Sequence, residues 1–229
     1  MRRLFCVALL LAALFVFACG VLRAPPASVR ADARAPGGKW IWIEVAQKRL
    51  TLYSGTEQLK VYPIATGARD TPTPLGAFRI SGRFKSELSG FGTRFLRLNV
   101  PWGQYGIHGT NKPGSIGGSV SHGCVRLTVR DAEELYALVP GGALTVIEGG
   151  PYGPFGFTLR TLISGDRGSD VLETQKRLAL HGFYEGSPDG VYGQRTSAAV
   201  LKARRAYGLS ASDRVDYALY QKLGILLFE

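Results

Sequence analysis

IHGTNKPGSIGGSVSHGCVRL, residues 107–127, is the stretch on which the reading of the whole chain turns. It holds His108 and His122, two of the 3 histidines, and near its end Cys124. Ile107-His108-Gly109 closes one apolar run and Val125-Arg126-Leu127 opens another, with TNKPGSIGGSV (110–120) between. A segment so rich in Gly, Ser and Asn is a loop that lets backbone approach a ligand closely. A thiol needs a neighbouring base or cation to reach its thiolate near neutral pH, and that base can return the proton to a leaving amine. If residues 121–125 are extended, His122 and Cys124 share one face, with Cα atoms about 6.5 Å apart. That spacing nominates His122, whereas His108 meets the thiol if the loop returns; spacing does not choose between them. The N–H groups of Gly123 and Cys124 are candidates to face an oxyanion, each donor being worth about 3 kcal/mol. Arg126 is placed to meet a carboxylate, although an arginine on a surface strand has the same spacing. Zinc held by His108, His122 and Cys124 is the competing chemistry. Against it stand the lack of an HExxH pair and of a second cysteine or water-activating carboxylate nearby. His181, in LHGFYEG, reads as structural.

Outward from this stretch the chain is strand-rich. WIWIEVA (40–46) and KRLTLY (48–53) are aromatic and β-branched runs, followed by Ser54-Gly55 and LKVYPIATG (59–67). They predict a hairpin and a third strand. AFRIS (77–81), FLRLNV (95–100), QYGIHG (104–109) and LTVIEG (144–149) continue the pattern between Gly and Pro breaks. Residues 39–149 therefore predict a mainly antiparallel β domain. One helix interrupts it: Thr128 and Asp131 are spaced as a capping pair, Leu135, Leu138 and Val139 follow at helical spacing, and Pro140-Gly141-Gly142 ends it. GPYGPFG (150–156) reads as a linker. Beyond Leu162 the period becomes helical, with Val171, Leu172, Gln175 and Leu178 on one face and Ala199, Val200 and Ala203 on another. With a third short helix over 217–223, residues 157–229 predict a small all-α domain of three helices.

Met1-Arg2-Arg3 precedes LFCVALLLAALFVFACGVL, residues 4–22, which carry no charge. This is an export segment, long for a signal core of about 7 to 15 residues and close to the roughly 20 that span a bilayer. Cleavage, with Ala31-Asp32-Ala33 as a small-x-small site, and anchoring are both open. Residues 23–38, rich in Ala, Pro and Gly, read as a flexible stalk. Of the 3 cysteines, Cys6 and Cys19 lie in the export segment, so Cys124 has no internal disulfide partner. Outside the cytoplasm such a thiol is a hazard unless it is used or buried. The net charge is +11. A basic exported domain suits an anionic polymer such as cell wall better than nucleic acid, which it does not normally meet.

The stretch at 107–127 closely resembles the active-site signature of the L,D-transpeptidase (YkuD-type) catalytic domain. VYPIATGARDTPTPLGAFRI, residues 61–80, resembles the upstream segment of that family. The likeness covers about residues 40–148 and implies an L,D-transpeptidase-like β-sandwich with one helix after the catalytic cysteine. It implies Cys124 as nucleophile and His108 as general base and acid, its ring oriented by the Gly109 carbonyl. It further implies His122 as a pocket residue and Gly123 with Cys124 as oxyanion donors, with Arg126, Tyr105 and Ser121 on the substrate. The implied reaction is acyl transfer on a peptidoglycan stem tetrapeptide: Cys124 attacks the carbonyl of the third residue, the terminal D-alanine leaves, and an amine resolves the thioester into a 3-to-3 cross-link. Water in place of the amine makes an L,D-carboxypeptidase. No metal or organic cofactor is implied, and carbapenem-type β-lactams are expected to acylate the thiol.

LISGDRGSDVLETQKRLALHGFYEGSPDGVYGQRTSAAV, residues 162–200, resembles the three-helix peptidoglycan-binding domain, including Asp189-Gly190 and Gly193-x-x-Thr196. It departs at Ala203-Arg204, where that family has an aromatic-Gln pair, and lacks a Gly near Arg214. The expected partner is peptidoglycan, with no nucleic acid and with membrane contact only through the N-terminal segment. The expected location is the cell wall or the outer face of the cytoplasmic membrane. Two rivals differ in class: a wall-binding protein with an inactive catalytic domain, against which Cys124 and both histidines stand, and a papain-like thiol peptidase. The peptidase requires a helix carrying the cysteine and a histidine far downstream, whereas this chain has a strand-rich context around Cys124 and its best histidine, His108, upstream.

Overall fold

A computed structural model describes residues 38–85 and 90–225. The segment expected to direct export (1–22) and all but the last residue of the expected stalk lie outside the described residues. The strands are β1 (Lys39–Glu44), β2 (Arg49–Ser54), β3 (Glu57–Pro63), β4 (Thr66–Gly67), β5 (Gly76–Lys85), β6 (Arg94–Leu98), β7 (Tyr105–Thr110), β8 (Ser119–Ser121), β9 (Val125–Thr128) and β10 (Leu144–Glu148). Helix α1 (Val129–Leu138) follows β9, and α2 (Ser169–Leu180), α3 (Gln194–Ala206) and α4 (Tyr217–Lys222) make the C-terminal module. Both halves are as expected: a mostly β domain with one helix after the cysteine, then an all-α unit.

Eight strands pair in the order β3-β2-β1-β10-β5-β6-β7-β9, and β4 pairs with β8 apart from them. Within the large sheet β1 with β10 and β7 with β9 are parallel and the other pairings antiparallel; the separate β4–β8 pair is also parallel. The long strand β5 pairs with β10 through Gly76–Arg79 and with β6 through Ile80–Lys85, with a bulge between Ile80 and Gly82. A bulge bends its strand and sharpens the twist, so β5 turns the corner of a sandwich. Ile41, Ile43 and Leu52 from one half meet Leu96, Ile107 and Leu127 from the other in one buried core. The alternation expected of strands is plain in β1, where Ile41 and Ile43 face that core while Trp40 and Trp42 face Tyr53 and Val146 behind.

Helix α1 packs on β6, β7 and β9 and buries Ala132 and Leu135. Its N-cap is Thr128, whose hydroxyl accepts from the Asp131 N–H at 3.1 Å. Gly109 sits where the helix passes closest: a Cβ there would lie 3.2 Å from Cα of Val129.

In the C-terminal module, Val171, Leu178, Val200 and Leu219 form a second core. Arg204, at the departure from the family pattern, is 3% exposed and bonds Ser210 O, Arg214 O and the Asp216 carboxylate. It is a satisfied buried cation that ties α3 to the loop before α4. His181 accepts a hydrogen bond from, or donates one to, the Tyr207 hydroxyl at 2.8 Å on the surface. The stretch 150–156 is itself folded, with a short 3-10 turn over Gly153–Phe155 and Phe155 packed edge-on to Tyr220. One element differs from the helical-face reading: Leu172, grouped with Val171 and Leu178 by spacing, packs instead against the core of the β domain. No helix among the described residues is long and apolar enough to cross a membrane.

Candidate active site

Strands β7 and β9 lie side by side, with Ile107 opposite Val125 and His108 opposite Arg126. Ile107, Val125 and Leu127 point into the core, so His108 and Arg126 share the opposite face. Cys124 stands one residue before β9 and continues that register toward Gly106. Strand spacing puts its Cα about 8 Å from that of His108, within reach of side chains. The two residues most separated in this stretch are thus brought together by a parallel pairing, which the intervening loop makes possible.

His108 is 3% exposed. Its ring is stacked on Phe95 at 5.7 Å and meets Phe91 edge-on at 5.0 Å. Nδ1 donates to the Gly109 carbonyl at 2.5 Å, which leaves the lone pair on Nε2. Burial holds the imidazole below its ordinary 6.5; the Gly109 and Phe91 backbone bonds resist and the Arg126 charge adds to the lowering. Cys124 is half-buried. Burial raises its thiol above the ordinary 9.0, while a backbone hydrogen bond from Gly106 and the Arg126 charge pull it down. The resting pair is therefore a neutral imidazole and a protonated thiol.

Between β8 and β9 the chain does not run extended as the His122-Cys124 spacing supposed. Gly123 has φ 106°, a conformation that L side chains rarely adopt, and it turns His122 outward. His122 is exposed, Gly123 is buried and Cys124 is half-buried. His122 and Cys124 do not share a strand face. Ser121 also departs from its expected role on the substrate: it is 2% exposed and both its bonds close this turn. Its hydroxyl donates to the Cys124 carbonyl at 2.6 Å and accepts from the Gly123 N–H at 3.1 Å. The Gly123 N–H, expected with that of Cys124 to face an oxyanion, is thus bonded to Ser121 in the resting turn, and the Cys124 N–H is the readier candidate.

Two walls hold the turn. A Cβ on Gly123 would lie 2.5 Å from Cε1 of Tyr105 and 3.2 Å from the Pro72 carbonyl. Tyr105, expected on the substrate, is therefore a packed ring beneath Gly123, edge-on to Trp102 at 6.4 Å. The Thr71 hydroxyl donates to the Ser121 carbonyl at 2.9 Å, so the Thr71-Pro72 part of the upstream segment is the second wall. Arg126 anchors its backbone to Ala65 at 2.9 Å in both directions. Its buried Nε has no hydrogen-bond partner, leaving a guanidinium beside His108 and Cys124 that suits a carboxylate. Among the described residues no group of His, Cys, Asp and Glu gathers to hold a metal ion. Trp102, Pro72, Phe91 and Phe95 were not singled out in the sequence, where only the aromatic content of PWGQYG (101–106) hinted at a wall.

Residues 38–147 match the family described as "L,D-transpeptidase catalytic domain", YkuD, and residues 167–223 the family described as "Putative peptidoglycan binding domain". The chain is similar to "Putative L,D-transpeptidase YkuD" of Bacillus subtilis (strain 168), 42% identical over 107 residues, which are 47% of this chain and 64% of that protein. It is also similar to the spore cortex-lytic enzyme of the same organism, 40% identical over 57 residues, 25% of this chain and 19% of that one. Among solved structures, an L,D-transpeptidase from Mycobacterium smegmatis aligns at 23% identity and TM-score 0.42, covering 48% of this chain and 58% of that chain. The chain spans less than two thirds of the length of the first curated relatives it matches. Residues 38–147 thus match an L,D-transpeptidase (YkuD-type) catalytic domain, and residues 167–223 a peptidoglycan-binding domain.

Proposed function

We propose that the protein is an exported cysteine L,D-transpeptidase. Cys124 Sγ attacks the carbonyl of the third residue of a peptidoglycan stem tetrapeptide as Nε2 of His108 takes the thiol proton. The tetrahedral oxyanion faces the Cys124 N–H, and His108 returns the proton to the departing amine of D-alanine. The thioester is then opened by an amine of a neighbouring stem, which gives up its proton to His108 as the C–S bond breaks, and His108 passes that proton to the departing Cys124 thiolate. Arg126 holds a substrate carboxylate. The observation that carries this reading is the parallel pairing of β7 and β9, with His108 opposite Arg126 and its Nδ1 proton held by Gly109, beside Cys124, the one thiol among the described residues.

The C-terminal module is proposed to hold peptidoglycan, with a hollow of about 280 Å³ between Tyr184, Asp189, Arg195 and Thr196 as the candidate seat. Residues 1–22 are proposed to carry the chain out of the cytoplasm. The test is to incubate the purified protein with disaccharide-tetrapeptide and follow D-alanine release and dimer formation by mass spectrometry. Cys124→Ala is expected to abolish both; equal turnover by this variant would remove the nucleophile. Release of D-alanine without dimer would assign an L,D-carboxypeptidase instead.

A further inference from the structure

The helical module reaches both walls of the catalytic turn. On one side the Leu75 N–H, at the end of the Thr71–Leu75 segment, donates to the Ser169 hydroxyl at the start of α2 at 2.7 Å. On the other, Gly190 seats its backbone on the Trp102 indole so closely that a Cβ there would collide with the six-membered ring. Trp102 meets Tyr105, and Tyr105 lies under Gly123. Leu172 and Val191 of the module pack against the same core.

The loop that makes this seat is fixed from within the module. Buried Gln175 accepts from the Asp189 and Gly190 N–H groups at 2.9 and 2.8 Å and shares its two amide N–H donors among Asp189 Oδ1, the Val191 carbonyl and Thr196 Oγ1. A side-chain amide with every polar position filled holds its loop in one conformation. Gly190 has φ 71° and Trp102 is 8% exposed, so neither partner has room to shift. Close-packed contacts of this kind transmit displacement rather than absorb it.

We propose that Gly190 and Ser169 are positioning residues for the acyl-transfer step: by bracing Trp102–Tyr105 and Thr71–Leu75, the module sets where the Gly123-Cys124 turn presents its thiol and N–H. The module is on this view part of the catalytic machinery as well as a wall-binding unit. The inference rests on Cys124 being the acylated thiol. Displacement of the turn by a fraction of an ångström acts on attack and oxyanion contact, so it appears in kcat rather than in KM.

The experiment uses the full chain with Gly190→Ala, Ser169→Ala, Trp102→Leu and the Gly190→Ala/Trp102→Leu pair. Three rates are read: D-alanine release from disaccharide-tetrapeptide, acylation of Cys124 by a carbapenem, and alkylation of Cys124 by iodoacetamide, which needs an accessible thiol but no oxyanion donor. Gly190→Ala is expected to lower kcat by about 10-fold or more, and carbapenem acylation by a similar factor, for a sub-ångström displacement. KM is expected to stay within about twofold and alkylation to stay at the wild-type rate. In the Trp102→Leu background the added methyl has room, so the same substitution is expected to lose much less. Ser169→Ala, which adds no atom, is expected to lower kcat about threefold for one hydrogen bond. Wild-type kcat and acylation in both single variants would overturn the proposal, as would a rise in KM at constant kcat. If Gly190→Ala alkylates as fast as the urea-unfolded chain, Ser169→Ala alone decides. A wild-type chain that is acylated by carbapenem but releases no D-alanine would sink the proposed substrate, and the acylation rates would still judge the positioning.

Discussion

His108 and Cys124 differ from a thiolate-imidazolium pair in the direction of both shifts: burial takes the imidazole below 6.5 and the thiol above 9.0. The proposed reaction uses the neutral imidazole, so kcat/KM is expected to rise with pH through the lowered His108 value. It then holds level across 6.5 to 9.0, because the thiol keeps its proton until attack. A pH profile that climbs only near the thiol's own ionisation would show that His108 does not take the proton. The paired substitutions say the same thing more directly. His108→Ala is expected to lose about 10³-fold in kcat, within the usual range for a general base, whereas exposed His122→Ala is expected to lose far less. A larger loss at His122 would reverse the assignment. Spacing alone left this choice open, and only the family resemblance pointed to His108, because it rests on two features without local signature: a parallel pairing across the intervening loop, and a left-handed Gly123 that ends the extended run. The resting bonds of the Ser121 hydroxyl go to its own turn, which its position in the sequence did not show.

Strands and helices were legible wherever a period could develop. In β1 the side chains alternate between two apolar surfaces, and in α1 Ala132 and Leu135, with Val139 at its C-cap, repeat toward one core, so composition and spacing sufficed. What escaped were elements too short to carry a period, β4 and β8, and the handover of β5 between partners at its bulge, which depends on neighbours distant in the chain. Leu172 escaped by a different route: it lies next to Val171 on the helix, and only the position of the β domain decides that the two face different cores. The junction of β9 and α1 was readable to the residue, through Thr128 and Asp131. Removing that cap by Thr128→Ala is expected to lower stability by about 1 kcal/mol. Urea unfolding followed by circular dichroism measures it; an unchanged midpoint would mean that α1 is held by packing alone, without help from the 3.1 Å bond.

Two domains joined by a short connection commonly move as separate bodies, because interfaces between domains are usually polar and modest in area. This pair is built otherwise. Leu172 and Val191 extend the apolar core of the β domain into the helical module, Gly190 closes on Trp102, and Ser169 satisfies the Leu75 N–H. Unfolding the module alone would expose Trp102 and orphan that donor, so the free energy of the two units is shared. Calorimetry of the full chain is therefore expected to show one transition whose calorimetric and van't Hoff enthalpies agree. Leu172→Ala removes a half-buried contact that belongs to a module helix but serves the other core. It is expected to lower that single transition by about 1 to 2 kcal/mol, less than a fully buried leucine loses. Two transitions in the wild-type chain, with Leu172→Ala moving only the one that melts the helices, would show that the domains touch without coupling. In that case the bracing of Tyr105 and Gly123 by the module would have no energetic basis, and acyl transfer should be indifferent to everything beyond residue 147.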